Sequence, residues 1–189
     1  MDQIIGLIAA LIIGTLFLTT MMTTLFNIQV NSKDLADTVP LHKNTEHLCN
    51  QLQSTLGMVG IGIHDGTAIV SATSTDFKFR TMWDVFGDTL STVADTVWIR
   101  SGNTQNQLGR DVLVTCHSQG ISDFRSVQWF KGMTFTYFDA SGNITSTLAN
   151  IRSMRVDLSF EKQSSMVGRP TMKNKVSFWC YFKNLYLPT

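Results

Sequence analysis

From Ile4 to Phe26 the chain carries no charged residue, and the stretch IIGLIAALIIGTLFLTTMMTTLF reads as one uninterrupted apolar helix. At ~1.5 Å of rise per residue it spans roughly 35 Å, enough to cross the hydrocarbon core of a bilayer. The rest of the chain must be anchored to, or assembled around, that helix. A secretory signal peptide places basic residues ahead of a shorter apolar stretch and a small-residue cleavage site after it. Here Met1, Asp2 and Gln3 open the segment and the first basic residue is Lys33, so it reads as a retained helix.

Beyond the helix the composition is that of one ordinary folded domain. The chain has 189 residues, and those after position 57 suffice for a single compact core. Fifteen basic and fourteen acidic residues are interspersed, with a net charge of +1, so no basic face for nucleic acid is expected. The three cysteines, Cys49, Cys116 and Cys180, show no CxxC spacing, which argues against zinc and favours a disulfide plus a free thiol.

The hydrophobic period changes twice along the chain. After Phe26 the residues Ile28, Leu35, Val39, Leu41, Leu48, Leu52 and Leu56 recur at helical spacing and predict a polar continuation of the helix with one apolar stripe. Pro40 falls inside that stripe and predicts a kink or a restart, and Gly57, Gly60 and Gly62 predict its end. From Ile61 onward the period becomes two. Strands are expected at Ala68–Thr73, Phe77–Trp83, Thr96–Arg100, Asp111–His117, Met133–Asp139, Ile151–Phe160 and Val176–Tyr186. The alternation is clearest where Met154, Val156, Leu158 and Phe160 interleave with Arg155, Asp157, Ser159 and Glu161, giving one apolar and one solvated sheet face. The Asp139-Ala140-Ser141-Gly142-Asn143 run is a turn signal. The fold class that follows is α+β: a helical stem over residues 1–57, apolar 4–26 and then amphipathic, packed on an antiparallel sheet head over 58–189.

With these elements in place, the head segment FTYFDASGNITSTLANIRSMRVDLSFE and the earlier TDFKFR and NQLGRDVL resemble the bacterial type IV pilin and type II secretion pseudopilin superfamily. Phe135, Tyr137, Asp139 and Gly142 stand at its F-x-Y-x-D-x-x-G hairpin, and Ile151, Arg152, Met154, Val156 and Leu158 at the strand after it. Three features depart from the pattern. Ile5 stands where such pilins carry a glutamate that meets a neighbour's terminal amine, which leaves Met1 and Asp2 as the expected N-terminal assembly residues. No leader with basic residues and a terminal glycine precedes Met1, as expected if the numbering starts after prepilin peptidase cleavage. Met21 and Met22 also replace the mid-helix proline of many bacterial pilins. Gly14 and the threonines Thr15, Thr19, Thr20, Thr23 and Thr24 could still let that stretch melt locally.

The resemblance implies a structural pilin: inserted in the inner membrane before assembly, handled by pilus assembly machinery, and then part of a helical homopolymer on the cell surface. Filament-core packing is expected from Ile4, Ile5, Gly6, Leu7, Ala9, Ala10, Ile13, Gly14, Phe17 and Leu25, with the small residues allowing close helix approach. A secretion pseudopilin and a membrane-anchored monomeric binding domain are the alternatives. No enzymatic role or cofactor is expected. His64 beside Asp65 and His117 beside Cys116 lack an accompanying nucleophile motif or phosphate loop, and His42 and His47 read as solvated. A Cys116–Cys180 bond between strands is the preferred disulfide, with Cys49 as the alternative partner. The aromatic end, Phe178 to Phe182 with Tyr186, reads as a last strand with alternating burial, whose exposed members could touch a subunit or another surface.

Overall fold

The structure is a computed structural model describing residues 2–63, 67–84, 89–106, 109–116, 121–126, 128–164 and 168–186. Of these, 2, 103–106, 109–111, 113, 115, 116 and 121–126 are described by their backbone alone. Among the described residues one α-helix, α1 (Asp2–Gly57), is followed by eight strands: β1 (Ile69–Ala72), β2 (Asp76–Asp84), β3 (Thr89–Asn106), β4 (Gly109–Cys116), β5 (Ile121–Ser126), β6 (Phe130–Phe138), β7 (Ser153–Lys162) and β8 (Met172–Tyr181). They form a five-stranded sheet in the order β1-β2-β3-β4-β5 and a three-stranded sheet in the order β6-β7-β8. All pairings are antiparallel, so the class is α+β.

Two compact units divide the chain, and the division falls within α1. One comprises Met1–Pro40 with Ser164–Pro170; the other comprises Leu41–Gln163 with Thr171–Thr189. The helix continues through Pro40 as one element, so of the expected kink or restart the restart is absent. Proline removes the donor for the carbonyl of Ala36, but the turns on both sides keep their own hydrogen bonds. In the single chain Gly14–Thr24 is helical throughout. The hydroxyls of Thr15, Thr19, Thr20, Thr23 and Thr24 each donate to the carbonyl four residues earlier, at 2.7 to 2.9 Å, which satisfies each polar group inside the helix. In the same unit Arg169 Nη1 donates to Asp34 Oδ2 at 3.1 Å.

The second unit holds the core. Leu41, Leu48, Leu52 and Leu56 from the end of α1 are buried in one cluster with the inward residues of both sheets. The expected stripe is therefore shorter than its periodicity, because Ile28, Leu35 and Val39 are exposed. Phe77 lies at the centre of the cluster, its ring 5.6 Å from Phe79, 5.7 Å from Tyr137 and 5.8 Å from Phe182. Bonds from β6 reach the β1-β2 turn and the start of β2: Phe135 N donates to Ser74 O at 2.9 Å, and Tyr137 Oη donates to Thr73 O at 2.7 Å and to Asp76 O at 3.4 Å. Desolvation, and then the nearby Asp76 carboxylate, hold the Tyr137 phenol far above its ordinary range.

Where α1 ends, Gly60 and Gly62 adopt φ of +74° and +70°. This turn lets Gly60 N reach Arg80 O at 3.1 Å and Ile61 O accept from Met82 N at 2.8 Å, docking the chain onto β2. The Asp139 turn forms as its residues indicate. Its carboxylate accepts from the backbone N–H of Ser141 and of Asn143, at 2.8 and 2.9 Å. These bonds, the one from Asn143 foremost, hold Asp139 below the ordinary carboxylate range.

Candidate functional site

Two surfaces carry side chains that the core does not use. The first is the apolar half of α1. Every residue from Gln3 to Gln29 is exposed, and the large apolar side chains between Ile4 and Phe26 stand 53 to 69 % accessible. The most apolar 18-residue window of α1 has a mean hydropathy of 2.4, so one stretch is long and apolar enough to cross a membrane. Ile4, Ile5, Leu7, Ile13, Phe17 and Leu25 lie here with Gly6, Ala9, Ala10 and Gly14 between them. A Cβ added at Gly6 or at Gly14 meets nothing within 4 Å. Such a surface is stable only in lipid, in detergent or against other apolar helices. Met1 and the side chain of Asp2 lie outside the described residues, as do His64, Asp65 and His117.

The second surface is the outward face of the β6-β7-β8 sheet. Here β8 alternates as its sequence indicates, with Phe178 and Cys180 buried and Trp179 and Tyr181 exposed. It begins earlier than expected, at Met172, and ends at Tyr181; a 3-10 turn (Lys183–Leu185) then takes the chain to Tyr186. Trp179 packs its ring 4.6 Å from that of Phe138 and 6.4 Å from that of Tyr181. Beside them Arg155 Nε donates to Asp157 Oδ2 at 3.0 Å, and Ser177 Oγ donates to Asp157 Oδ1 at 2.5 Å.

The disulfide expectation is corrected: Cys49 and Cys180 are both free thiols, so neither the preferred Cys116–Cys180 bond nor a bond from Cys49 to either strand cysteine forms. Cys180 points into the core from the three-stranded sheet, whereas Cys116 ends β4 of the other sheet, and its side chain lies outside the described residues. Burial pushes the Cys180 thiol up to about 11 and raises that of Cys49. His42 and His47 are exposed, and His47 Nε2 is 2.8 Å from Gln51 Nε2. Sequence reasoning did not separate the Trp179 and Tyr181 face from an ordinary strand, because alternation tells which residues share a face and not whether anything covers it. No protein-family model, no curated protein and no solved structure matches this chain.

Proposed function

We propose that this chain is a pilin-like structural subunit that polymerises through the apolar half of α1. The observation carrying the reading is the unbroken exposure of Gln3–Gln29, set on a chain whose other unit already has a closed core of its own. Before assembly a bilayer covers the apolar side chains; in the polymer, copies of the same helix cover them. Measured against water, burying on the order of 1,000 Å² of apolar surface at ~25 cal/mol per Å² holds the polymer by roughly 25 kcal/mol against release of a subunit into water. That exceeds the ~4–15 kcal/mol that association costs in lost translation and rotation. Transfer out of lipid gains none of this, because lipid covers the same surface. A contact that repeats head to tail without closing generates an open helical fibre.

A secretion-system pseudopilin uses the same subunit physics and differs in the length of its polymer. Shearing the surface of native cells, imaging the released material by electron microscopy and measuring the intact mass of its main protein tests the reading. Long filaments made chiefly of this chain support a pilin. Retention of all the protein in the membrane fraction as a monomer refutes polymerisation and leaves an anchored domain.

A further inference from the structure

The outward face of the three-stranded sheet is ordered by its register into transverse rows. Thr134, Asp157 and Ser177 are paired across it, then Thr136, Arg155 and Trp179, then Phe138, Ser153 and Tyr181, of which Phe138 and Ser153 are buried and Tyr181 is open. Successive rows on one face are ~6.6 Å apart. Trp179 and Tyr181 therefore project side by side from β8, an outer strand of its sheet, with rings within 18° of parallel and 45 and 63 % accessible. Phe138 backs Trp179 at 4.6 Å and limits the freedom of the indole. Next to the rings, the Asp157 row opens into a hollow whose lining includes Gly132, Ser159 and Lys175. The hollow exists because β6 is irregular between Phe130 and Gly132 and because glycine puts no side chain into it.

We infer that this face is a binding site for a neutral oligosaccharide, with Trp179 and Tyr181 as the stacking platform and the Asp157 row as the hydrogen-bonding subsite. A pyranose ring presents both chemistries at once: an apolar face of C–H groups for an aromatic ring, and a rim of hydroxyls that donate and accept. Arg155 and Asp157 neutralise each other, which leaves Lys175 as a cation at the hollow and not the basic cluster that selects an anionic ligand. A lipid or an apolar protein surface laid over the aromatic rows would also cover this ion pair and leave its free lone pairs and N–H groups without partners, whereas sugar hydroxyls replace the lost water. Asp157 is held by Ser177 and Arg155 before any ligand arrives, so little ordering opposes binding. This inference does not depend on the filament reading, since the site lies within one unit of one chain.

The test uses the full chain in dodecylphosphocholine, a detergent without a sugar headgroup, and saturation-transfer difference NMR of cellohexaose, chitohexaose and laminarihexaose. At least one hexasaccharide is expected to give a saturable signal, weakened about tenfold or more in affinity in Trp179→Ala and again in Tyr181→Ala. Trp98→Phe, on the outward face of the other sheet, is expected to leave it unchanged. Both tested rings are exposed, and an unaltered far-UV circular dichroism spectrum in either variant is sufficient to read the result. The proposal is overturned if none of the three gives a saturable signal, or if the signal persists at full affinity in a folded Trp179→Ala or Tyr181→Ala protein. It is equally overturned if these variants change only self-association by sedimentation, which would mean that a second copy covers the face.

Discussion

Gly62 shows how a single position can decide whether the end of α1 docks. A Cβ built on it would lie 2.6 Å from Met82 Sδ and 3.0 Å from Met82 Cβ, and its φ of +70° is strained for any L side chain. Gly142 has a similar φ of +81° but opens onto empty space. Gly142→Ala is therefore expected to cost about 1 kcal/mol and Gly62→Ala about 2–4 kcal/mol, read as a shift in denaturant midpoint of the full chain in detergent. Equal costs would show that the Met82 contact relaxes freely. Cys180 gives a prediction in pH. Its unfolded value is 9.0 and burial raises it to about 11, so the neutral thiol is the form the folded chain favours. Its contribution to stability is complete below pH 9.0 and declines as pH rises through about 11. In a Cys49→Ser, Cys116→Ser background, iodoacetamide labelling of folded protein should rise with a midpoint near pH 11, and labelling in urea near pH 9. A folded-state midpoint at pH 9 would contradict the burial of the thiol.

Leu52 stands for the second half of α1. It is buried within the cluster that joins the helix to both sheets, and Leu52→Ala should cost about 2–5 kcal/mol through lost burial and the cavity left behind. Leu35→Ala, at an exposed position of the same helix, should change stability by less than about 0.5 kcal/mol in the same assay. That contrast also marks how far the elements were legible. Helical spacing put Ile28, Leu35, Val39 and Leu41 to Leu56 on one stripe, yet only the last four positions meet a sheet, because phase cannot reveal where a partner surface begins. Strands with strict alternation were readable, β7 above all, where Met154 to Phe160 face inward as the pattern requires. β5 was missed because Ile121–Ser126 is short and mixes Asp and Arg with Ile and Phe. β3 runs from Thr89 to Asn106, far beyond the expected Thr96–Arg100, because its polar flanks are held by neighbouring strands and not by their own propensity. The turn at Asp139 was legible because its bonds are local, made by one carboxylate to N–H groups two and four residues on.

For the molecule as a whole, assembly depends on the apolar helical surface of Gln3–Gln29, which is exposed in the single chain. The apolar run was plain in the sequence, since no folded arrangement of the remaining residues is needed to recognise it. The aromatic face of β8 was not, since its exposure depends on what the tertiary structure places over it. Because Gly6 meets nothing within 4 Å, Gly6→Leu adds bulk without any clash inside the subunit. Ala10 is exposed on the same helix, so Ala10→Phe acts in the same way. Both variants should insert in membranes and keep the stability of the sheet unit, while close helix packing between copies is lost. The most direct measurement is a count, by electron microscopy, of filaments in the sheared surface fraction of cells producing wild type, Gly6→Leu or Ala10→Phe at equal membrane levels. The account predicts abundant filaments of this chain from wild type and a loss of at least about tenfold from each variant. Undiminished filaments from both variants, or no filaments of this chain from wild type, would contradict assembly through the apolar half of α1.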